Sequence, residues 1–409
     1  MFDYLIRNAM LVDGTGAPAE RGDLAIQGGK IAAVGCLPHA SAAQVLDARG
    51  MYLTPGFLDI HRHADDALFR PGFGRAELAQ GLTTIVNGNC GLSLAPVPAA
   101  RRPEIYGYLT PVTGLPAEEL PTQTMQAYLD AVGAAVLPLN VGMLVGGGTV
   151  RAAAAGFSPE PLDSGALHAV HRLIEQSLSG GALGVSLGLG YAPEIFYTTQ
   201  QLIDALAPLR ESGVPVTVHM RQEGAGVVEA LEEMMTAARA LRTPVHISHL
   251  KSIGKAYWGR YMPRMLEILT SAREEGLDVS CDLYPYTAGS TQLIHVLPPE
   301  SQDGGLAALT EDWELSRVAR YKSQDMHDNR YFAHNSPTYG TPFRMLRAFG
   351  LSYRTAGENI AMGYAAPAAV VAGWMNSEGH RANILNSAYT KIGVGYVADG
   401  HYWTQQFIG

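Results

Sequence analysis

Hydrophobic and polar positions alternate in short blocks over residues 1–50. Tyr4-Leu-Ile-Arg and Ala9-Met-Leu-Val read as two short strands, and Asp23-Leu-Ala-Ile meets Lys30-Ile-Ala-Ala-Val across Gly28-Gly29, a two-residue hairpin signature. This is a small β layer. From Pro55 the pattern changes to apolar runs of strand length separated by helically spaced stretches, which predicts βαβ units and a parallel sheet. Seven such strands fall near 57–61, 83–87, 141–145, 183–187, 215–220, 245–250 and 277–283. The last three are set 30 and 33 residues apart, counted from His219 to His249 and on to Asp282. Eight βα units in ~250 residues would give ~31 per unit, so the period is that of a barrel. Helices are predicted over 226–241, with Val227, Leu231, Met234 and Met235 on one face, and over 262–275, with Met265, Leu266 and Leu269.

The pattern breaks again after Thr291-Gln-Leu-Ile-His-Val-Leu-Pro-Pro299. A polar stretch, 300–305, leads to an amphipathic helix with Leu315, Val318, Ala319 and Met326 on one face and Asp312 as its N-cap. Another helix starts at Pro367 and runs through Trp374, and the chain ends in a hairpin turning at Asp399-Gly400. No eighth βα unit is legible there. The expected divisions are 1–50 for the β layer, 51–302 for an incomplete barrel and 303–409 for a separate domain.

Composition narrows the function. A chain of 409 residues, 47% of them hydrophobic, can bury a large core and fill two or three domains. Its net charge of -9 and absence of a basic stripe exclude nucleic acid as a partner and favour a small molecule. No apolar run reaches the ~18 residues of a membrane helix, and Met1-Phe-Asp-Tyr-Leu-Ile-Arg lacks the layout of a signal peptide, so a cytoplasmic location is expected. Three scattered cysteines, Cys36, Cys90 and Cys281, argue against a disulfide framework.

The candidate chemistry lies at the strand ends, which converge on one mouth of a parallel barrel. His61 and His63 are separated by one residue and so share a face as a chelating pair. Cys90, in Val86-Asn-Gly-Asn-Cys90, would add a thiolate, and His219 and His249 would add imidazoles from the fifth and sixth strands. A metal held there makes hydroxide available near neutral pH and polarises a carbonyl, leaving an acid/base group to move the proton. A lone strand histidine is more often structural, and His168, His171 and His246 are read so, as are Cys36 and Cys281.

Residues 1 to about 302 resemble the amidohydrolase superfamily and, within it, the N-acyl-D-amino-acid deacylases (D-aminoacylases). The carrying stretches are Thr54-Pro-Gly-Phe-Leu-Asp-Ile-His-Arg-His63, Asn87-Gly-Asn-Cys-Gly-Leu-Ser93, 181–191, His249-Leu-Lys251 and Asp282-Leu-Tyr-Pro-Tyr-Thr-Ala-Gly-Ser290. The resemblance implies zinc-dependent hydrolysis of an N-acyl-D-amino acid, with one or two zinc ions. Cys90, His219 and His249 match the tight ligands, and His61 and His63 match a second, weaker position. Tyr191, Lys251, Tyr284 and Ser290 match positions lining the substrate pocket, where a cation and hydroxyls suit a carboxylate. Two departures are expected to matter. The family's catalytic Asp belongs to the eighth strand and has no counterpart here, and Gly147 stands where many relatives have His.

Residues from about 303 to 409 resemble the CAP superfamily (SCP-like; cysteine-rich secretory, antigen 5, pathogenesis-related) in its bacterial form, truncated at its start. Phe332-Ala-His-Asn335, Gly357-Glu-Asn-Ile360, Trp374-Met-Asn-Ser-Glu-Gly-His-Arg-Ala-Asn-Ile-Leu385 and Ile392-Gly-Val-Gly-Tyr396 carry it. It implies an α-β-α sandwich whose cavity can hold a divalent metal, here with His334, Glu358, His380 and Glu378, and a lipid or protein ligand. It also implies an extracellular setting, against the cytoplasmic expectation.

The expected fold class is therefore α/β: an incomplete (β/α)8 amidohydrolase barrel with a small N-terminal β layer, followed by a CAP-type sandwich. Three functional readings stay open at this point. One is a zinc amidohydrolase with a CAP appendage, its activity in doubt without the Asp. Another is a CAP binding module on a vestigial barrel. The third is a chimera, an artificial join of two truncated families near Asp303.

Overall fold

The computed structural model describes residues 1–286, 289, 291, 309–386 and 388–409. Ser290, Asp303 and the expected division between 302 and 303 lie outside the described residues. The chain forms two compact units, one of Met1–Asp59, Gly74–Thr84 and Pro138–Asn140, the other of Ile60–Phe73, Ile85–Leu137 and Val141–Gly409.

The first unit holds β1 (Phe2–Leu11), β2 (Glu20–Gln27), β3 (Lys30–Gly35), β4 (Ala42–Asp47) and β5 (Tyr52–Leu53) in one sheet, ordered β3-β2-β1-β4 with β5 also on β1. The two short strands expected at the start are a single strand with a bulge. Register between β1 and β2 shifts between Ile6 and Ala9, and Asn8 takes a left-handed φ of 64°. Asn tolerates that conformation, and the Asn8 N–H released from the ladder donates to the Asp23 carboxylate at 3.0 Å. Gly28 and Gly29, at φ 59° and 73°, make the expected hairpin turn.

The barrel strands lie where the periodicity places them. β6 (Phe57–Asp59), β7 (Leu82–Asn87) and β8 (Asn140–Met143) form a three-stranded sheet. β9 (Val145–Gly146), β10 (Val185–Gly188), β11 (Val216–His219), β12 (Val245–Ile247) and β13 (Val279–Cys281) form a parallel sheet ordered β13-β12-β11-β10-β9. The third expected strand is split at Leu144. Its N–H donates to Asn87 O at 2.9 Å, whereas that of Val145 donates to Gly184 O at 3.0 Å, so the pairing changes partner at this point.

Val145, Val185, Val216, Val245 and Val279 stand level across the five-stranded sheet. All five are buried. Each is worth ~1.5–3 kcal/mol of burial, and a slip by one residue would turn a whole strand inside out, so this row fixes the register. Outside, the helix Val227–Leu241 buries Val227, Leu231, Met234 and Met235 as expected. The helix Met262–Glu274 buries Met265 and Leu269 but leaves Leu266 50% exposed. Consecutive helical residues are ~100° apart, and Ile268 and Ala272 occupy the inner face instead.

The C-terminal residues form an α-β-α sandwich. β14 (Thr310–Glu311), β15 (Ala356–Met362), β16 (Lys391–Val397) and β17 (Tyr402–Ile408) are ordered β14-β16-β17-β15. Alternate residues of β17 serve the two faces: Trp403 and Phe407 pack with Val370, Val371 and Trp374, and Ile408 packs with Leu315 and Val318. The helix Trp313–Asp328, capped by Asp312 at 2.9 Å from Leu315 N, lies directly on the sheet. A Cβ on Gly395 would fall 2.1 Å from the carbonyl carbon of Ala319, so only glycine fits that close approach. The final turn is longer than the two residues expected. Val397 pairs with Tyr402, leaving 398–401 as the loop, with Gly400 and His401 left-handed. Among the described residues no helix is long and apolar enough to cross a membrane.

Candidate metal centre

The polypeptide brings the predicted ligands together by anchoring two strand ends to each other. Asn89 donates its side-chain amide to Ile60 O at 3.1 Å and Val86 O at 3.0 Å, and Asn87 accepts from Ala64 N at 3.0 Å. These bonds fix the His61–His63 segment against the Cys90 loop. Cys90 itself adopts φ 56°, and Gly91 beside it donates its N–H to Ser186 Oγ at 3.0 Å.

From the valine row, His219 is three residues along its strand and His249 four. In continuous strands, odd and even steps point to opposite faces. The alternation is broken after β12 ends at Ile247, and His249 takes φ 39°. The two rings consequently meet, with centroids 4.7 Å apart and His219 Nδ1 3.0 Å from His249 Nε2. Left-handed backbone at a non-glycine residue costs ~1–3 kcal/mol, a strain that Cys90 and His249 both carry.

Two donor triads result. His61, His63 and Cys90 form one, Cys90, His219 and His249 the other, with the ligand atoms of each within 4.8 Å of one another. Cys90 Sγ belongs to both, 3.3 Å from His61 Nε2 and 3.6 Å from His249 Nε2. A thiol and four imidazoles are the donor set of a zinc site, and the buried His63 Nδ1 has no hydrogen-bond partner among the described residues. The residues fit a metal.

Electrostatics agree. Burial, reinforced by His61, His249 and Arg62, lowers the His63 pKa to about 3, leaving the neutral imidazole that a metal requires. Burial, with Glu223 adding to it, pushes the Cys90 thiol far up, so a thiolate there needs a cation beside it.

Two carboxylates missed from the sequence complete the surroundings. Asp282 Oδ2 lies 3.2 Å from His61 Nδ1 and 3.0 Å from His246 Nε2, and its other oxygen accepts from the His249 backbone N–H. Glu223 Oε1 lies 2.8 Å from His249 Nδ1 and also pairs with Lys251. Burial would raise both acids, but His246 and His61 hold Asp282, and His249, His219 and Lys251 hold Glu223, well below the carboxylate range. The strand spacing had already put Asp282 at the end of the seventh strand. No such signal marks Glu223.

Tyr191, Lys251 and Tyr284 gather around the triads. The Tyr191 ring is 4.6 Å from that of His219 and its hydroxyl 2.7 Å from Thr291 Oγ1. The Tyr284 ring is 6.5 Å from His249, with Lys251 Nζ 5.5 Å from its centroid. His246, expected to be structural, bonds Ser280 and Asp282. At Gly147 a Cβ would stand 2.4 Å from Glu194 Oε1. Glu194 thus fills the space a side chain at 147 would need, its pKa raised to about 7 by burial while the Gly188 N–H and Arg151 oppose the shift.

In the sandwich, His334 Nδ1 lies 2.9 Å from Glu358 Oε1, and Gln406 donates to Glu358 Oε2 at 3.0 Å. His380 Nδ1 lies 2.8 Å from Ser377 Oγ, and Glu378 is exposed in the first turn of its helix. Among the described residues these four do not make a group of three converging metal donors.

Comparison with known proteins bears on both parts. The D-aminoacylase of Alcaligenes xylosoxydans xylosoxydans is 38% identical over 292 residues, covering 71% of this chain and 59% of that protein. Over these residues the chain is similar to the D-aminoacylases. The crystal structure of N-acyl-D-glutamate deacylase from Bordetella bronchiseptica, complexed with zinc and a phosphonate mimic of the tetrahedral intermediate, matches with a TM-score of 0.65 at 33% identity, covering 70% of this chain and 59% of that one. The chain therefore spans about six-tenths of the length of these deacylases. Residues 292–407 match the cysteine-rich secretory protein family, CAP, a span that begins before the division expected at 303. The uncharacterized protein YkwD of Bacillus subtilis (strain 168) is 57% identical over 123 residues, covering 30% of this chain and 48% of that protein. The expected fold, an amidohydrolase-type barrel followed by a CAP sandwich, is the one found.

Proposed function

We propose that the barrel binds one or two zinc ions and hydrolyses linear amides, releasing a carboxylate and a D-amino acid from an N-acyl-D-amino acid. The observation that carries this reading is the single sulfur of Cys90 shared by two histidine-bearing triads. The zinc in the N-acyl-D-glutamate deacylase structure supports it. His61, His63 and Cys90 would hold one ion, and Cys90, His219 and His249 the other. Zinc in these positions would polarise the amide carbonyl and lower the pKa of water. Tyr191 and Tyr284 flank the triads and would confine the substrate. Lys251 offers its ammonium to a carboxylate, a charge it already shares with Glu223.

Proton transfer to the leaving amine needs an acid/base group. The two carboxylates that touch the ligand histidines, Asp282 and Glu223, are both engaged by them. That engagement favours a second reading, in which zinc binds without turnover and the CAP domain is the working part, taking a lipid or protein ligand. Zinc content and turnover of the purified full chain separate the two. Release of D-amino acids from N-acetyl-D-substrates, absent with the L-series and lost in Cys90→Ala, is the expected result. Bound zinc with no release from any N-acyl-D-amino acid would establish the second reading, and failure to bind zinc would overturn both.

A further inference from the structure

His61 and His249 are presented to Cys90 in the same way from opposite sides. Each turns Nε2 toward the sulfur, at 3.3 Å and 3.6 Å, and each has a carboxylate behind its Nδ1. For His61 that carboxylate is Asp282, at 3.2 Å; for His249 it is Glu223, at 2.8 Å. An ionised carboxylate only accepts hydrogen bonds. It therefore places the imidazole proton on Nδ1 and leaves the Nε2 lone pair aimed at the place between ring and sulfur. Lys251 Nζ stands 3.1 Å from His249 Nδ1, but one nitrogen cannot accept from Lys251 and donate to Glu223 together, and the carboxylate is closer.

The two acids are not interchangeable. Asp282 follows β13 and joins the side chains of His61, after β6, and His246, within β12, at 3.0 Å for His246 Nε2, and it also takes the backbone N–H of His249. Glu223 lies in the loop after β11 and pairs with Lys251. Neither is a donor in either triad among the described residues.

We propose that Asp282 and Glu223 are separate positioning residues for the two metal positions, Asp282 setting the ring and tautomer of His61, and Glu223 those of His249. The proposal rests on the reading of the barrel as a zinc site. Second carboxylates of this kind typically change metal affinity ~10–100-fold. In Asp282→Asn, the amide that replaces one oxygen points N–H groups at the donors of His61 and His246. The position of His61, His63 and Cys90 should then weaken ~10–100-fold while the other changes little. Glu223→Gln should give the reverse.

The test is chelator-competed binding of zinc, and of cobalt followed through its thiolate absorption, on the full chain and both variants. It is paired with nitrogen NMR of 15N-histidine-labelled protein, which reports the Nδ1–H tautomer without any metal. Opposite losses at the two positions, with His61 alone leaving the Nδ1–H form in Asp282→Asn, are expected. Equal weakening of both positions by either variant, or unchanged tautomers, would overturn the proposal while leaving the zinc reading intact. A wild-type chain that binds neither ion would overturn the zinc reading and this inference with it. Should Asp282→Asn not fold, Glu223→Gln gives the same two readouts for the other position: selective weakening at Cys90, His219 and His249 with His249 alone leaving the Nδ1–H form is expected, and equal weakening of both positions or an unchanged tautomer overturns the proposal.

Discussion

Replacing Cys90 by alanine deletes one atom from both donor triads at once. A four-ligand structural zinc site is worth ~10–16 kcal/mol, or ~3 kcal/mol per donor, so each position should lose ~100-fold or more in affinity. The fold itself should suffer little. Cys90 is buried, but alanine removes only its sulfur, costing ~1 kcal/mol, or a ~2–4 °C lower melting temperature for a domain of this size. His63→Ala supplies the contrast, because His63 belongs to one triad only. Zinc per chain after dialysis against a graded chelator series reads both effects. Cys90→Ala should release both ions together, and His63→Ala one before the other. A Cys90→Ala chain that keeps either ion at wild-type affinity would refute the shared-sulfur geometry.

Two further outcomes follow from other parts of the molecule. Gly147→His must displace Glu194, whose Oε1 stands 2.4 Å from the new Cβ, and should cost ~1–3 kcal/mol in urea unfolding. Adding Glu194→Ala should recover at least half of that, and strictly additive effects in the double-mutant cycle would show that the two positions do not compete. Asp325 accepts from Ser336 Oγ at 2.6 Å and from the Thr338 and Tyr331 hydroxyls; burial would raise its pKa, but these bonds and Lys322 hold it below the ordinary value. Its contribution to CAP-domain stability is therefore complete above the unfolded carboxylate pKa and is lost as pH falls through the lower folded value. Tryptophan-monitored unfolding from about pH 5 down to about pH 2 should show a steep acid limb that Asp325→Asn flattens, and parallel curves for the two proteins would exclude this assignment.

The convergence of the candidate donors was legible because a parallel barrel converts sequence spacing into spatial proximity. His61, His63, Cys90, His219 and His249 each follow a strand whose apolar run can be recognised alone. What spacing cannot convey is which atom of a ring faces inward. Asp282 and Glu223 act through that orientation, and only tertiary contact reveals it. Gly147 was legible as a departure, but its physical counterpart, Glu194, sits 47 residues away on an unrelated turn. The smaller differences have local causes. The bulge at Asn8 joins two apparent strands, Leu144 changes hydrogen-bond partner within a third, and Leu266 shares an apolar character with neighbours whose direction it does not share.

The level row of valines has a practical consequence for the metal centre. The height of each ligand above that row is set by counting: three residues to His219 and four to His249. At ~3.3 Å per residue, a single insertion after Val245 would lift the imidazole by about one and a half times a ~2.1 Å zinc–nitrogen bond and reverse its facing. Chemical conservation of every ligand would not rescue such a chain. Along these strands, the ruler is as much a part of the site as the donors, and length changes between valine and ligand should be less tolerated than substitutions beside it.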